Sequence, residues 1–430
     1  HLTDDNGWRI EITSLPALTQ TGAWRVARSG WWGVRKPPAD KEPASYGGFY
    51  TQEEITELVQ YAKSRAINIL PEIDVPGHSL AAIASYKYLS CTKLDYKVNP
   101  GSQFYGSDDN ALCAGNDSTY EFLEKIFTEV AGLFPYSYIH IGGDECFKGF
   151  WKNCSVCQKK IQAEGLKDES ELQSYFFKRV NKMLQARGKR LIGWDEMLEG
   201  ELAPDAAIMS WRGVEGIATS AKLHHEVVVA TKDYTYLDYY QGDPAAEKPS
   251  FGMLRLKKVY EFEPVPPGVD SRFVLGGQGN LWSEFVPEFS YAEYMLWPRS
   301  LALAEILWSP RGKRDWENFI LRVNEQQQYF NYAGINYSSS FYDAIIMLSK
   351  NKQGKIEVRL DTEIDSLKIH YTFGDVDPDI NSAEYKRGRI LIFPEKATYL
   401  RVVTYRGNQQ AGKIIALPLY ELERRIKEQL

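Results

Sequence analysis

The chain has 430 residues, with 51 Lys and Arg against 57 Asp and Glu, and a formal net charge of −6. Charged residues at 25% and hydrophobic ones at 43% exclude a disordered chain. The acidic balance offers no basic face for nucleic acid, and no apolar run approaches the ~18 residues that span a bilayer. At roughly 150 residues per domain, the length allows two or three domains, or one large barrel with an appendage. Aromatic residues reach 13%, including 11 Trp and 27 Tyr, whose flat faces and polar edges suit sugar rings as well as cores.

In chain order, the first predicted helix is Gln52–Ala66, with Thr51 as N-cap and Glu54 completing a capping box. A strand follows at Ile67–Ile73. Helical patterns at Thr119–Leu133, Ser170–Arg187 and Gly213–His224 then alternate with strand-like runs. Those runs are Tyr138–Gly142, Arg190–Trp194, Ala206–Trp211, Glu226–Thr231 and Arg272–Gly276. A long helix over Tyr291–Trp308 closes the series. This rhythm predicts an α/β fold with parallel pairing and right-handed crossovers. Asp74, Asp144, Glu145, Asp195, Glu196, Trp211, Asp238, Trp282 and Glu284 all fall at or just past strand C-termini. A TIM barrel gathers such residues on one rim, whereas a doubly wound sheet uses mainly one crevice, so a (β/α)8 barrel is expected.

Beyond Ser349 the polar stretch Lys350–Gly354 marks a boundary, predicting a barrel over 1–350 and a second domain over 351–430. Short alternating runs at Ile356–Leu360, Leu367–Phe373, Arg389–Phe393 and Tyr399–Tyr405 suggest a small C-terminal β-sandwich, and residues 420–430 a charged terminal helix.

The stretch His140-Ile141-Gly142-Gly143-Asp144-Glu145 carries the strongest chemical signal. A strand runs into two glycines and then two adjacent carboxyl groups, of which one tends to keep its proton. One protonated and one charged carboxyl group is the equipment for cleaving a glycosidic bond. Pro71-Glu72-Ile73-Asp74-Val75-Pro76-Gly77-His78 adds two acids and a histidine fit to bind a carboxylate or a metal. Gly193-Trp194-Asp195-Glu196, Ser210-Trp211-Arg212 and Leu281-Trp282-Ser283-Glu284 each end a strand with Trp followed by polar groups. Singly, each Trp fits a core; together they would line a rim and box in a pyranose.

These motifs, with His1-Leu2-Thr3-Asp4-Asp5-Asn6-Gly7-Trp8-Arg9 and Tyr236-Leu237-Asp238, match in order and spacing those of glycoside hydrolase family 20, the β-N-acetylhexosaminidases, which residues 1–330 resemble. Residues 355–420 resemble, less closely, the C-terminal β-domain of bacterial members. The resemblance implies exo-cleavage of terminal β-linked N-acetylglucosamine or N-acetylgalactosamine from glycans or chito-oligosaccharides, with retention and without cofactor or metal. Glu145 would be the general acid and base, and the substrate's own acetamido oxygen the nucleophile. Asp144 would orient that group and balance the oxazolinium charge. Trp194, Trp211 and Trp282 would wall the sugar and Tyr236 would donate to the acetamido oxygen. Asp238 and Glu284 would accept from hydroxyl groups, while Asp4 and His78 would support Glu145. It also implies a periplasmic, cell-surface or secreted location. The family's first barrel strand, its helix and its sugar-binding Arg have no counterpart here, which predicts that the chain is a segment of a longer protein.

Two rival readings stand beside this one. The first is a sugar-binding barrel with impaired catalysis. The second is a metal-dependent hydrolase using Cys146, Cys154, Cys157 and His140 or His78; Cys154-x-x-Cys157 has zinc spacing, but no second pair stands at a matching distance in sequence. Gly276-Gly277-Gln278-Gly279 reads as room for the last barrel strand, not a phosphate loop.

Overall fold

The computed structural model describes residues 1–103 and 105–428. It comprises two compact units, His1–Val229 with Val265–Gly276, and Ala230–Pro264 with Gly277–Leu430.

The first unit is built on a five-stranded sheet in sequential order, Tyr138–His140, Arg190–Trp194, Ala207–Ser210, Val227–Val229 and Val274–Gly277. The first four strands pair in parallel, with Ile139 opposite Leu191, Gly193 opposite Ile208, and Met209 opposite Val228. Ile139, Leu191, Ile208 and Val227 are fully buried, as expected for a parallel sheet covered by helices. The covering helices show why the 3.6-residue pattern works. In Glu169–Gln185, Leu172, Phe176, Val180 and Leu184 recur every four residues and are all completely buried. Each such side chain stabilises by about 1.5–3 kcal/mol. Asp168 caps this helix by accepting the Ser170 and Glu171 N–H groups. Asp117–Leu133 packs Phe122, Leu123, Ile126, Phe127 and Val130 inward in the same way.

Several expected boundaries move. The capping box of Thr51 and Glu54 is present, but its helix ends at Lys63. Residues 67–73 form no strand. Instead the following segment joins the sheet edge through Ile73 N–H to His140 O and Val75 N–H to Ile141 O, and Ile67 is exposed. The single long helix expected over 291–308 is two, Phe289–Leu296 and Arg299–Trp308. Pro298 has no N–H to give and its ring clashes with the preceding turn. A helix over Trp316–Ala333, capped by Asp315, was not expected.

In the second unit the C-terminal sheets begin earlier than residue 351. Ile345–Lys350 pairs antiparallel with Ile356–Asp361, which pairs with Leu391–Ile392. A second sheet sets Lys368–Phe373 against Tyr399–Arg406, and the latter against Ile415–Pro418. Val358, Leu400, Val402, Ile415, Leu417 and Leu422 are fully buried in their common core. The segment 230–264 belongs to this unit because of buried polar ties. Glu363 accepts the Lys257 N–H at 2.7 Å and pairs with Arg255 at 3.3 Å, while Arg425 grips Asp243 through two bonds of 2.7 Å. The terminal helix is Leu419–Glu428; residues 429 and 430 of the expected helix lie outside the described residues.

Candidate active site

In the first unit the sheet delivers its C-terminal ends to a chain of acids and histidines. The strand Tyr138–His140 leads into Gly142 and Gly143, whose φ angles are +67° and +98°. Only glycine fits at 142: a Cβ there would stand 1.7 Å from Asp74 Oδ1. The turn instead lets the Gly143 N–H donate to Asp74 Oδ1 at 3.2 Å. Glu145 itself takes φ +42° and His78 φ +48°, both in the left-handed region that ordinary side chains avoid. Such backbone strain concentrates at functional sites.

His78 is the hub. Its Nδ1 lies 3.2 Å from Asp4 Oδ1 and 3.3 Å from Asp5 Oδ2, and its Nε2 lies 3.6 Å from Asp144 Oδ2 and 3.5 Å from Glu145 Oε2. The structure therefore brings Asp4, His78, Asp144 and Glu145 together. Burial works against a charged His78, yet Asp74, Asp144 and Asp4 hold its pKa well above the usual histidine value. Burial pushes Asp144 up to about 6, with the Glu72 and Glu145 charges adding to it and His78 opposing. Asp74 is also pushed well up, by burial and then by Asp144. Asp4 goes the other way: against its burial, hydrogen bonds with His1 and His78 hold it far below the carboxylate range. The result is an acid pair of different surroundings, Asp144 largely enclosed and Glu145 with 54% of its side chain open to solvent.

The tryptophans divide. Trp194 is buried and donates its indole N–H to Glu72 Oε1 at 2.9 Å, with the His140 ring 4.8 Å away. Trp211 is half-buried and donates to both oxygens of Glu196, at 3.2 and 2.9 Å. Burial pushes Glu196 up to about 7. Arg212 holds Asp195 at 3.0 Å and Glu199 at 2.7 Å. Sequence reasoning gave no role to Glu72, Asp5, Asp74 or Glu196. Their signal was position, since each lies within a strand-end motif already singled out.

In the second unit, Tyr236 pairs in parallel with Asn280, bringing Tyr236 and Trp282 to a ring separation of 6.4 Å. Burial pushes Asp238 up to about 7; the nearby Glu284 charge adds to this, while backbone N–H groups, including that of Trp282, oppose it. Tyr236, Asp238, Trp282 and Glu284 thus form one group. Arg299, fully buried, fixes its backbone by donating to the carbonyl groups of Leu237, Tyr239, Leu254 and Met295 at 2.6–2.9 Å.

The cysteines do not follow the sequence expectation. Cys154 and Cys157 do have a partner pair, Cys91 and Cys113, and the four sulfur atoms lie within 4.8 Å of one another. Cys146 is not among them, nor are His78 and His140.

A family model for glycosyl hydrolase family 20, catalytic domain, matches residues 1–311. The chain is 41% identical over 397 residues to a beta-hexosaminidase of Porphyromonas gingivalis, covering 90% of this chain and 48% of that protein. It is 40% identical over 312 residues to a beta-hexosaminidase of Vibrio furnissii, covering 71% and 50% respectively. Among solved structures, it is similar to a GH20 exo beta-N-acetylglucosaminidase from Vibrio harveyi in complex with N-acetylglucosamine. There the TM-score is 0.68 at 36% identity, over 79% of this chain and 53% of that one. A beta-N-acetylhexosaminidase from Bacteroides fragilis matches with TM-score 0.67 and 32% identity, over 79% and 65%. The chain spans about half the length of the curated relatives it matches. The fold class is the one expected from the sequence, an α/β barrel type followed by a C-terminal β-domain.

Proposed function

The chain belongs to glycoside hydrolase family 20, and on that premise we propose that it removes terminal β-linked N-acetylglucosamine or N-acetylgalactosamine from the non-reducing ends of glycans. The observation that carries the proposal is His78 standing between Asp4 and the Asp144–Glu145 pair.

The reaction is substrate-assisted. The acetamido oxygen of the substrate attacks the anomeric carbon while Glu145 protonates the departing glycosidic oxygen. The bond to the leaving group breaks and an oxazolinium ion forms. Asp144, enclosed and ionised, holds the acetamido N–H and offsets the positive charge as it develops. Glu145, now a carboxylate, takes a proton from water, which opens the ring at the anomeric carbon from the face the leaving group left. Configuration is retained, and both protons are accounted for by one residue. His78 and Asp4 are positioning residues acting through the acid pair. From the family resemblance, Trp194 and Trp211 of the first unit are assigned contacts with the sugar; in the second unit Trp282 is assigned a sugar contact, Tyr236 a hydrogen bond to the acetamido oxygen, and Asp238 and Glu284 the hydroxyl groups.

A p-nitrophenyl β-N-acetylglucosaminide and its galactosaminide test the proposal directly. Glu145→Gln is expected to lower kcat by about 10²–10⁴-fold, the range for losing a general acid. A dinitrophenyl leaving group, which needs no proton, should shrink the deficit of the first step. Unchanged turnover in Glu145→Gln would remove the assignment.

A further inference from the structure

We propose that Cys91, Cys113, Cys154 and Cys157 bind one structural Zn²⁺ ion. The inference concerns a site separate from the acid pair and holds whether or not the proposed hydrolase activity does.

The distances separate a metal site from a pair of disulfides. A zinc ion bound by four thiolates at about 2.3 Å in a tetrahedron sets neighbouring sulfur atoms roughly 3.8 Å apart. A disulfide sets them about 2.05 Å apart. The observed separations are 3.5 Å for Cys113–Cys157, 3.7 Å for Cys91–Cys157 and 3.8 Å for Cys113–Cys154, with all four atoms within 4.8 Å of one another. The shortest of these runs between Cys113 and Cys157, which belong to different pairs if Cys91–Cys157 and Cys113–Cys154 were disulfides. Three separations close to 3.8 Å, with none of the sulfur atoms bonded to another, match a coordination tetrahedron and not two disulfides.

The surroundings suit a thiolate centre. Cys113 and Cys157 are buried and Cys154 nearly so. Cys154 is the N-cap of the helix Ser155–Ala163 and Cys157 sits in its first turn, where the positive end of the helix favours anionic sulfur. A Cβ on Gly115 would lie 2.6 Å from Cys157 Cα, so only glycine permits that approach. The Cys91 loop is held in turn by Asp109, which accepts the Cys91 and Thr92 N–H groups at 2.8 and 3.2 Å. Outer contacts of this kind orient metal ligands.

The site clamps loops that local structure cannot join. Leu112 donates to Pro76 O, and Ser79 to Asn110 O, tying the Cys113 loop to the segment that carries His78. Cys154 follows the Asp144–Glu145 turn by nine residues. One ion would therefore fasten the His78 loop to the loop of the acid pair.

The test is the metal content of the intact protein purified without chelator or reductant. The expected result is one zinc per chain by elemental analysis. Replacement with Co²⁺ should give the visible bands and thiolate charge-transfer absorption of a tetrahedral sulfur site. Cys154→Ser should lower bound zinc roughly tenfold or more, while Cys146→Ser retains it. A mass lower by four hydrogens, with no metal, would show two disulfides and overturn the proposal. So would five titratable thiols, Cys146 included, without zinc, or a different metal bound at these residues. The unaltered protein decides among these outcomes even if the serine variant does not fold.

Discussion

His78 Nε2 stands 3.5 Å from Glu145 Oε2 while its Nδ1 stands 3.2 Å from Asp4 Oδ1. One imidazole thus separates a group of carboxyl groups that would otherwise repel one another. Its positive charge is what allows Asp4, Asp74, Asp144 and Glu145 to share so small a volume.

Removing that charge should move the pH profile. Asp144 must be ionised to offset an oxazolinium ion, and its pKa already sits near 6 with His78 lowering it. In His78→Asn that pKa rises, so the acid limb of kcat/KM against pH should shift upward by about one unit or more. At a pH below the shifted limb the variant would lose about tenfold in kcat/KM. A profile that falls uniformly, with its limb unmoved, would count against the charge role.

Trp211 donates to a carboxyl group that burial holds near pKa 7. Trp211→Phe keeps an aromatic side chain, smaller than the indole, and removes the N–H. A hydrogen bond to a charged group is worth about 1.5–3 kcal/mol, so kcat/KM should fall by roughly tenfold to a hundredfold. Glu196→Gln should then add little in the Trp211→Phe background, which a double-mutant cycle measures.

Arg299 supplies donors to four backbone carbonyl groups from a fully buried position. Arg299→Met fills similar space but leaves those acceptors unpaired. A loss of about 3–5 kcal/mol in unfolding free energy is expected from denaturant titration. Because Leu237 and Tyr239 flank Asp238, KM should also rise in any fraction that folds.

Thermal stability should fall as pH rises from the acid side of neutrality. In the unfolded chain Asp109, Asp343, Asp238 and Glu196 lose their protons near pH 4. In the folded protein burial holds Asp109 and Asp343 to about 6, and Asp238 and Glu196 to about 7. Between those values the native state binds more protons, so stability decreases with increasing pH across this window. The raised pKa of His78 acts in the same direction, its stabilisation being lost as the pH climbs through that raised value. Differential scanning calorimetry should give a higher Tm at about pH 5 than at about pH 8.

Local pattern was enough for much of the architecture. The strand Arg190–Trp194 appears with the bounds read from its alternating neighbours, and the Thr51–Glu54 capping box forms where Ser/Thr-x-x-Glu predicts one. One strand-end motif likewise contains Asp144 and Glu145, two of the acids that stand near His78. These features depend on residues within one or two turns of each other, so periodicity and capping chemistry suffice to locate them. The miss at Pro298 was also local: apolar periodicity ran through a residue that cannot sustain a helix.

Sequence by itself determined the alternation of strands and helices, the turn at Gly142-Gly143, and which acids stand at strand ends, because backbone sterics and hydrophobic period act over short stretches. Tertiary structure alone decided that Trp194 donates to Glu72 across 122 positions and that burial, not sequence neighbourhood, sets the proton affinity of Asp144. It alone decided that Cys91 and Cys113 meet Cys154 and Cys157. Those pairings follow from which chain segments the sheet and its loops bring into contact, and spacing along a chain carries no record of a distance through space.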